Sequence, residues 1–318
     1  MTEPSRRRLG RSDLSVAPLA FGGNVFGWTV DDRVAFPLFD AFVDAGFNVI
    51  DTADVYSNWV PGHRGGESEE MIGRWLRASG RRDEVLLATK VGMETSEGRK
   101  GLAPDHIRAS IEGSLERLQT DRIDLYQAHV EDPATPLAET LGVFTNLRED
   151  GTIRAFGASN FSAARLQEAL RVSADQGLDR FESVQPRYNL LDRTEFEGDL
   201  ESVCEANGLG VLTYSSLASG FLSGKYRSAA DAAKSARGKR GVSRLDAHGQ
   251  KVLEALDEVA RRVGASPSSV AIAWIGARPS VTAPIASATS PEQLQELLAG
   301  TRLSLDREAL ETLARASG

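Results

Sequence analysis

Four residues of this 318-residue chain, Asp51, Tyr56, Lys90 and His129, are of types that together deliver a proton to an oxygen. A phenol with a pKa of about 10 is a weak but usable acid. A lysine ammonium beside it favours the phenolate and lowers that pKa. A carboxylate paired with the lysine keeps it charged and in place, and an imidazole adds a hydrogen bond where negative charge develops. The reaction these parts suit is hydride reduction of a carbonyl, which leaves an alkoxide to be protonated. The chain has no redox group of its own, so the hydride must come from a bound cofactor.

Such a set works only if the backbone gathers it. Short β-branched or apolar runs at 17–21, 48–51, 85–90, 123–129, 153–159, 182–185, 211–214 and 282–287 alternate with stretches of helical period. Ile107, Ile111, Leu115 and Leu118 share one face behind Pro104, and Met71, Ile72, Trp75 and Leu76 mark another. Strand followed by helix, eight times over, predicts an α/β fold in which a parallel barrel is wrapped by helices. Residues 6–9 and 14–16, around Gly10-Arg11-Ser12-Asp13, read as a β-hairpin plugging the barrel bottom. The rhythm breaks between the seventh and eighth runs. There a piece rich in Gly, Ser, Ala, Lys and Arg at 219–243 precedes two helical patterns at 245–263 and 267–277. An insertion in that position is more often a lid than a domain boundary. No composition shift marks a second domain, so residues 1–318 read as one.

A barrel carries its chemistry at the C-terminal ends of its strands. The second run ends at Asp51 and leads through Thr52-Ala53-Asp54-Val55 to Tyr56. The third ends at Lys90, the fourth at His129, the fifth at Ser159-Asn160, the sixth at Gln185, the seventh at Tyr214-Ser215 and the eighth at Ser287. One polar residue closing an apolar strand ordinarily just faces solvent. Asp, Tyr, Lys and His on three adjacent strands point instead to a site.

Composition narrows the partner. With 37 basic and 45 acidic side chains the net charge is -8, which disfavours nucleic acid and leaves a small molecule as the expected ligand. The single Cys204 forms no internal disulfide, and no Cys/His cluster has metal spacing. Residues 1–9 lack the apolar core of a signal peptide, and no apolar stretch is long enough to span a bilayer. The expectation is a cytoplasmic protein without a membrane partner, its oligomeric state unspecified.

Further motifs stand in order along the chain: Arg8-Leu9-Gly10-Arg11-Ser12, Ile50-Asp51-Thr52-Ala53-Asp54-Val55-Tyr56, Gly66-Glu67-Ser68-Glu69, Ala88-Thr89-Lys90 and Ile123-Asp124-Leu125-Tyr126-Gln127-Ala128-His129. Gly157-Ala158-Ser159-Asn160-Phe161, Val184-Gln185-Pro186-Arg187-Tyr188-Asn189 and Gly220-Phe221-Leu222-Ser223-Gly224-Lys225-Tyr226 follow. Together they make the chain resemble the aldo-keto reductases over nearly its whole length. The resemblance implies a (β/α)8 TIM barrel with an N-terminal hairpin plug and extra helices near the C-terminus. It implies NADPH as cofactor, with NADH the open alternative, bound without a Gly-x-Gly-x-x-Gly loop. The implied reaction is reversible reduction of an aldehyde or ketone to an alcohol. Tyr56 becomes the proton donor, Lys90 and Asp51 its partners, and His129 the group that orients the carbonyl. Ser159, Asn160 and Gln185 would hold the nicotinamide carboxamide and Tyr214 would stack on its ring. Ser215, Leu217, Gly220 and Lys225 would lie along the pyrophosphate, with Ser287, Thr289 and Gln293 at the adenosine end.

Two departures qualify this. Tyr214-Ser215-Ser216-Leu217 stands where the family has Tyr-Ser-Pro-Leu, so a looser turn is expected. Thr289 occupies a position where related enzymes commonly carry a basic residue, and Leu297 one where they carry Asn, so the usual contact to a 2′-phosphate is missing. Other residues are less pointed. Trp28 and Trp59 fall on loops leaving the barrel top, where they would wall a substrate site or pack the loops. His63 reads as a solvated loop histidine, Cys204 as an inert packed thiol, and His106 and His248 have no constellation. Arg6-Arg7-Arg8 and the run at 234–240 read as solvated charge. Two other functions stay open: a Schiff-base aldolase using Lys90, and a nucleotide-sensing regulatory subunit with little turnover.

Overall fold

The computed structural model describes residues 4–318, so the first three residues of the N-terminal stretch read above lie outside the described residues. Strand β1 (Arg7–Arg8) pairs antiparallel with β2 (Ser15–Val16) through a turn at Gly10. A Cβ at Gly10 would lie 2.1 Å from the Glu182 carbonyl oxygen, and its φ of 60° is left-handed, so only glycine fits that turn.

Eight further strands follow: β3 (Ala20–Gly22), β4 (Val49–Asp51), β5 (Leu86–Val91), β6 (Ile123–Ala128), β7 (Ile153–Ser159), β8 (Ser183–Gln185), β9 (Gly210–Thr213) and β10 (Ala283–Ala286). They close into a barrel in the order β10-β3-β4-β5-β6-β7-β8-β9, every neighbour parallel. The eight runs expected from the sequence are these strands. Pro18, which has no N–H to give a ladder, delays the first to Ala20. His129 and Tyr214 fall one residue past β6 and β9, yet their amides still bond across, to the Val91 carbonyl at 2.8 Å and the Pro186 carbonyl at 3.0 Å.

Helices α1 (Asp32–Asp44), α2 (Glu67–Ser79), α3 (Pro104–Leu118), α4 (Leu137–Glu149), α5 (Ala163–Gln176) and α6 (Asp199–Asn207) connect successive strands from β3 to β9. Before β10 come the short α7 (Gly238–Val242), then α8 (Ala247–Val263) and α9 (Pro267–Gly276); α10 (Pro291–Gly300) and α11 (Arg307–Ser317) end the chain. Local chemistry sets several starts. Asp246, Ser266 and Ser290 each accept a backbone N–H at the first turn of α8, α9 and α10, and Pro267 and Pro291 open the last two.

Side chains alternate along a strand, so two sets separate. Outward residues pack against the helices in a large apolar layer that includes Phe21, Ile50, Leu87, Tyr126, Phe156 and Val184. Inward residues Ala20, Val49, Ala88, Leu125, Ala155, Leu212, Ala283 and Ile285 form a second cluster, together with Leu9, Leu14 and Val16 of the hairpin segment. The hairpin therefore plugs the barrel bottom as its sequence predicted. The insertion at 219–243 folds as two 3-10 turns, Ala218–Ser223 and Ala229–Lys234, followed by α7. Just beyond it Arg244 makes a two-pronged ion pair with Asp192, at 3.0 and 3.1 Å, joining this segment to the loop after β8. Among the described residues no helix is long and apolar enough to cross a membrane.

Candidate active site

The same alternation fixes what faces the barrel mouth. Two residues after inward Val49 comes Asp51, after Ala88 comes Lys90, and after Leu125 come Gln127 and His129. Ala155 leads likewise to Ser159, Leu212 to Tyr214 and Ile285 to Ser287. Register brings these ends level, with Gly22 opposite Asp51, Lys90 opposite Gln127 and Ser159 opposite Gln185.

Lys90 is fully buried and its ammonium donates three hydrogen bonds: to Asp51 Oδ2 at 2.7 Å, to the Thr52 carbonyl at 2.8 Å and to the Tyr56 hydroxyl at 2.9 Å. Asp51 Oδ1 in turn accepts the Gln185 side-chain amide at 2.8 Å and that of Gln127 at 3.3 Å. The Tyr56 and His129 rings meet edge-on, their centroids 6.0 Å apart. His129 Nδ1 is buried and has no hydrogen-bond partner among the described residues.

Burial works against the Lys90 ammonium, but the Asp51 carboxylate and the Tyr56 oxygen outweigh it, so its pKa lies above the ordinary lysine value. Burial, together with the nearby Lys90 charge, holds the His129 imidazole well below its ordinary pKa, hence neutral. Tyr56 corrects an expectation. Burial raises the phenol above its ordinary value; Lys90 pulls it down, but Asp51 acts against that pull, and the net direction is upward. The phenol is thus held protonated at neutral pH.

All but two of the expected site residues line one cavity of about 1150 Å³. Around it stand Asp51, Tyr56, His129, Ser159, Asn160, Gln185, Tyr214, Ser215, Leu217, Gly220, Lys225, Ser287 and Gln293. Lys90 lies directly beneath, behind Asp51 and Tyr56. Thr289 is the other exception. Its amide and hydroxyl both bond Gln293 Oε1, at 2.9 and 3.1 Å, and it faces an outer groove beside α1 and α2. The Asn160 side chain is fully engaged within the protein. Its nitrogen donates to the His129 carbonyl and to Ser159 Oγ, and its oxygen accepts the Tyr214 hydroxyl at 2.7 Å. A carboxamide docking there must displace one of these bonds, and the one from Tyr214 is at the surface.

The turn after β9 is tight, contrary to expectation. Ser216 is buried, and its hydroxyl donates to the Ile285 carbonyl of β10 at 2.8 Å, an anchor that replaces the missing proline. Ser215, Ala218, Ser219 and Gly220 all have positive φ. The Ala218 and Gly220 amides bond back to the Ser215 and Leu217 carbonyls, at 2.7 and 2.8 Å, which closes the turn on itself. A Cβ at Gly220 would lie 3.0 Å from Lys225 Cε, so the glycine lets that lysine stem approach.

Sequence reasoning missed several residues on the cavity wall: Asn24, Arg187, Arg237, Lys239, Arg240, Arg244 and Glu296. Three of them belong to the charge run at 234–240 that read as solvated. Among the described residues Lys225, Arg237, Lys239 and Arg240 form no salt bridge, whereas most arginines of this protein do. Burial, reinforced by Arg240, lowers the Arg237 pKa from its ordinary value. A cation so placed favours an anionic ligand. The position of the run inside an insertion after a barrel strand was the signal available.

The cavity thus joins the buried Asp51-Lys90-Tyr56 chain to a wall bearing unpaired cations and the amide and hydroxyl groups of Ser159 and Gln185. The profile of the Aldo/keto reductase family matches residues 18–317. An uncharacterized oxidoreductase, YrpG, of Bacillus subtilis is 36% identical over 314 residues, covering 96% of this chain and 93% of that protein. The aldo-keto reductase YhdN of the same organism is 33% identical, covering 93% and 87%. A probable voltage-gated potassium channel subunit beta of Oryza sativa is 35% identical, covering 91% and 89%.

Proposed function

The chain belongs to the aldo/keto reductase family, and from that premise we propose that it reduces an aldehyde or ketone to an alcohol with NADPH, Tyr56 giving the proton. The observation that carries this reading is the hydrogen-bonded chain from Asp51 through Lys90 to Tyr56, with Tyr56 and His129 lining a cavity of about 1150 Å³. Bound there, the nicotinamide supplies the hydride. The chain's own residues do the rest. His129, neutral and beside Tyr56, donates a hydrogen bond to the carbonyl oxygen and sets its direction. Tyr56, protonated, delivers its proton to that oxygen as charge develops, and the Lys90 ammonium stabilises the phenolate left behind. Asp51 keeps Lys90 charged and aimed.

On this reading Gln185 and Ser159 bind the carboxamide, and Tyr214 turns from Asn160 to face the ring. Lys225, which Gly220 lets approach the turn at 215–220, takes the pyrophosphate. Arg237, Lys239 and Arg240 supply the positive charge that Thr289 lacks, which favours the 2′-phosphorylated cofactor. Ser287, Gln293 and Glu296 line the adenosine end.

A Schiff base at Lys90 is a poor alternative, because a buried ammonium with three acceptors and a raised pKa is not a free amine. The channel-subunit relatives keep a regulatory role in view. Consumption of NADPH with a panel of aldehydes and ketones separates the two: turnover supports the reductase, whereas tight NADPH binding with no carbonyl reduced would favour the sensor.

A further inference from the structure

Just beneath the barrel mouth lies a layer of buried polar side chains that the reaction scheme uses only in part. Gln127 of β6 is fully buried and does not line the cavity, yet both ends of its amide are engaged. Its Nε2 donates to Asp51 Oδ1 at 3.3 Å, and its Oε1 accepts Gln185 Nε2 at 3.1 Å. Gln185 Nε2 also donates to the same Asp51 oxygen, at 2.8 Å. Side chains from β4, β6 and β8 thus close a ring of three hydrogen bonds. Gly157 of β7, the strand between β6 and β8, puts no side chain in the way: a Cβ there would lie 2.3 Å from Ser183 Oγ and 3.5 Å from Gln127 Cγ.

Packing alone does not call for an amide at this position. The inward layer below, with Ala88, Leu125 and Ala155, is apolar, and burying an amide beside it costs free energy that an apolar side chain of similar length would not. What the amide supplies is direction. The two Gln185 N–H hydrogens each have an acceptor, Asp51 Oδ1 for one and Gln127 Oε1 for the other, so the group this side chain has left for the cavity is Oε1. On the other side of the ring, Asp51 Oδ2 receives Lys90. Two donors on Oδ1 therefore fix the plane of the carboxylate that aims the ammonium at Tyr56.

We propose that Gln127 is a positioning residue that locks the cavity-facing amide of Gln185 and the Asp51-Lys90-Tyr56 chain into one unit, an inference that rests on the reductase reading. Through Gln185 it keeps an acceptor turned toward the N–H groups of a carboxamide and against a carboxylate in the same place. Through Asp51 it keeps the ammonium aimed at the phenol. One side chain out of reach of both nucleotide and carbonyl thereby sets how the two are held relative to each other.

Two substitutions separate this role from packing. Gln127→Leu removes both ends of the amide. Gln127→Glu keeps an acceptor for Gln185 but donates to Asp51 only while the introduced carboxyl is protonated. The ionisable groups gathered there are Asp51 from β4, Tyr56 from the loop after β4, Lys90 from β5 and His129 from the end of β6, and Asp51, in direct contact, opposes ionisation of that carboxyl. In Gln127→Leu, kcat for aldehyde reduction should fall about tenfold or more at every pH, with the aldehyde KM little changed. In Gln127→Glu, kcat relative to the wild type should be near one at about pH 5.5 and drop as pH rises toward about 9. Fluorescence titration with NADP+ and with its nicotinic acid analogue, which carries a carboxylate in place of the carboxamide, reads the Gln185 side without turnover. The wild type should prefer the carboxamide, and Gln127→Leu should narrow that preference by about fivefold. Where Gln127→Leu does not fold, the pH profile of Gln127→Glu decides. Wild-type kcat or an unchanged nucleotide preference in Gln127→Leu, or a pH-independent ratio in Gln127→Glu, overturns the proposal. A wild type that reduces no aldehyde of any kind overturns the reductase reading instead, and the nucleotide preference then judges Gln127 alone.

Discussion

The Lys90 ammonium donates to the Tyr56 hydroxyl at 2.9 Å, so the phenolic oxygen receives a hydrogen bond while keeping its own proton to give. This arrangement makes the phenol a better donor than its raised ground-state pKa indicates, because the ammonium acts most strongly on the phenolate formed after transfer. Tyr56→Phe should therefore lower kcat by about 10²- to 10⁴-fold while leaving nucleotide affinity nearly unchanged. Steady-state kinetics beside a fluorescence titration with NADPH checks it. Wild-type kcat in the variant would remove Tyr56 from the reaction.

Asp51 and Lys90 form a buried ion pair at 2.7 Å, and removing one partner leaves the other without a counter-charge in a buried position. Lys90→Ala should lose about 3 to 5 kcal/mol of stability along with turnover. Lys90→Met, which keeps the volume but strands the same carboxylate, should recover neither activity nor most of the stability. The double change Asp51→Asn with Lys90→Met should be more stable than Lys90→Met alone. Urea unfolding of the three proteins measures this, and a double variant no more stable than Lys90→Met would contradict the pairing.

The unpaired cations on the cavity wall give a nucleotide prediction. Arg237→Ala should weaken NADPH binding by about tenfold or more and NADH binding far less, since a charge-assisted contact is worth roughly 1.5 to 3 kcal/mol. Calorimetric titration with both nucleotides decides. Equal weakening of the two would move Arg237 from the 2′-phosphate to the pyrophosphate.

Asp54 supplies a pH prediction. Its carboxyl is buried, has no hydrogen-bond partner among the described residues, and is pushed up to about 8 by burial and by the neighbouring Glu69 charge, with Arg117 and Lys90 pulling the other way. Tyr126, whose hydroxyl is also unpartnered, stands beside it. The unfolded chain loses this proton near the ordinary 3.8, so between there and about 8 the folded state holds the extra proton. Stability contributed by Asp54 hence falls as pH rises through that window, by up to about 1.4 kcal/mol per pH unit, and levels off above it. Asp54→Asn should flatten the decline of Tm between pH 5 and 9; coincident Tm profiles would show that Asp54 does not titrate there.

That Asp51, Lys90 and His129 would gather at one mouth was legible because side-chain parity along a strand is a local property. Val49 before Asp51, Ala88 before Lys90 and Leu125 before Gln127 and His129 can be counted without coordinates. The role of the run at 234–240 was not legible, since its approach to the cavity depends on α7 folding back over the turn after β9, a tertiary contact with no periodic trace. Thr289 was misjudged for a similar reason: Gln293, four residues on, captures both of its polar groups. The direction of the Tyr56 shift needed the degree of burial, which a strand-end position does not give. Ser216 shows how an absent proline conceals an equivalent anchor, because its bond to Ile285 joins residues 69 positions apart.

Leu9, Leu14 and Val16 stopper one end of the cylinder, so among the described residues the candidate site opens at the other end. On the proposed reading, nucleotide, reactant and product would share that opening, and whatever rests nearest the rim would depart first. Surplus reactant near that rim would then hold the used nucleotide inside. Throughput at high reactant concentration would be governed by congestion at the exit and no longer by the speed of the reaction.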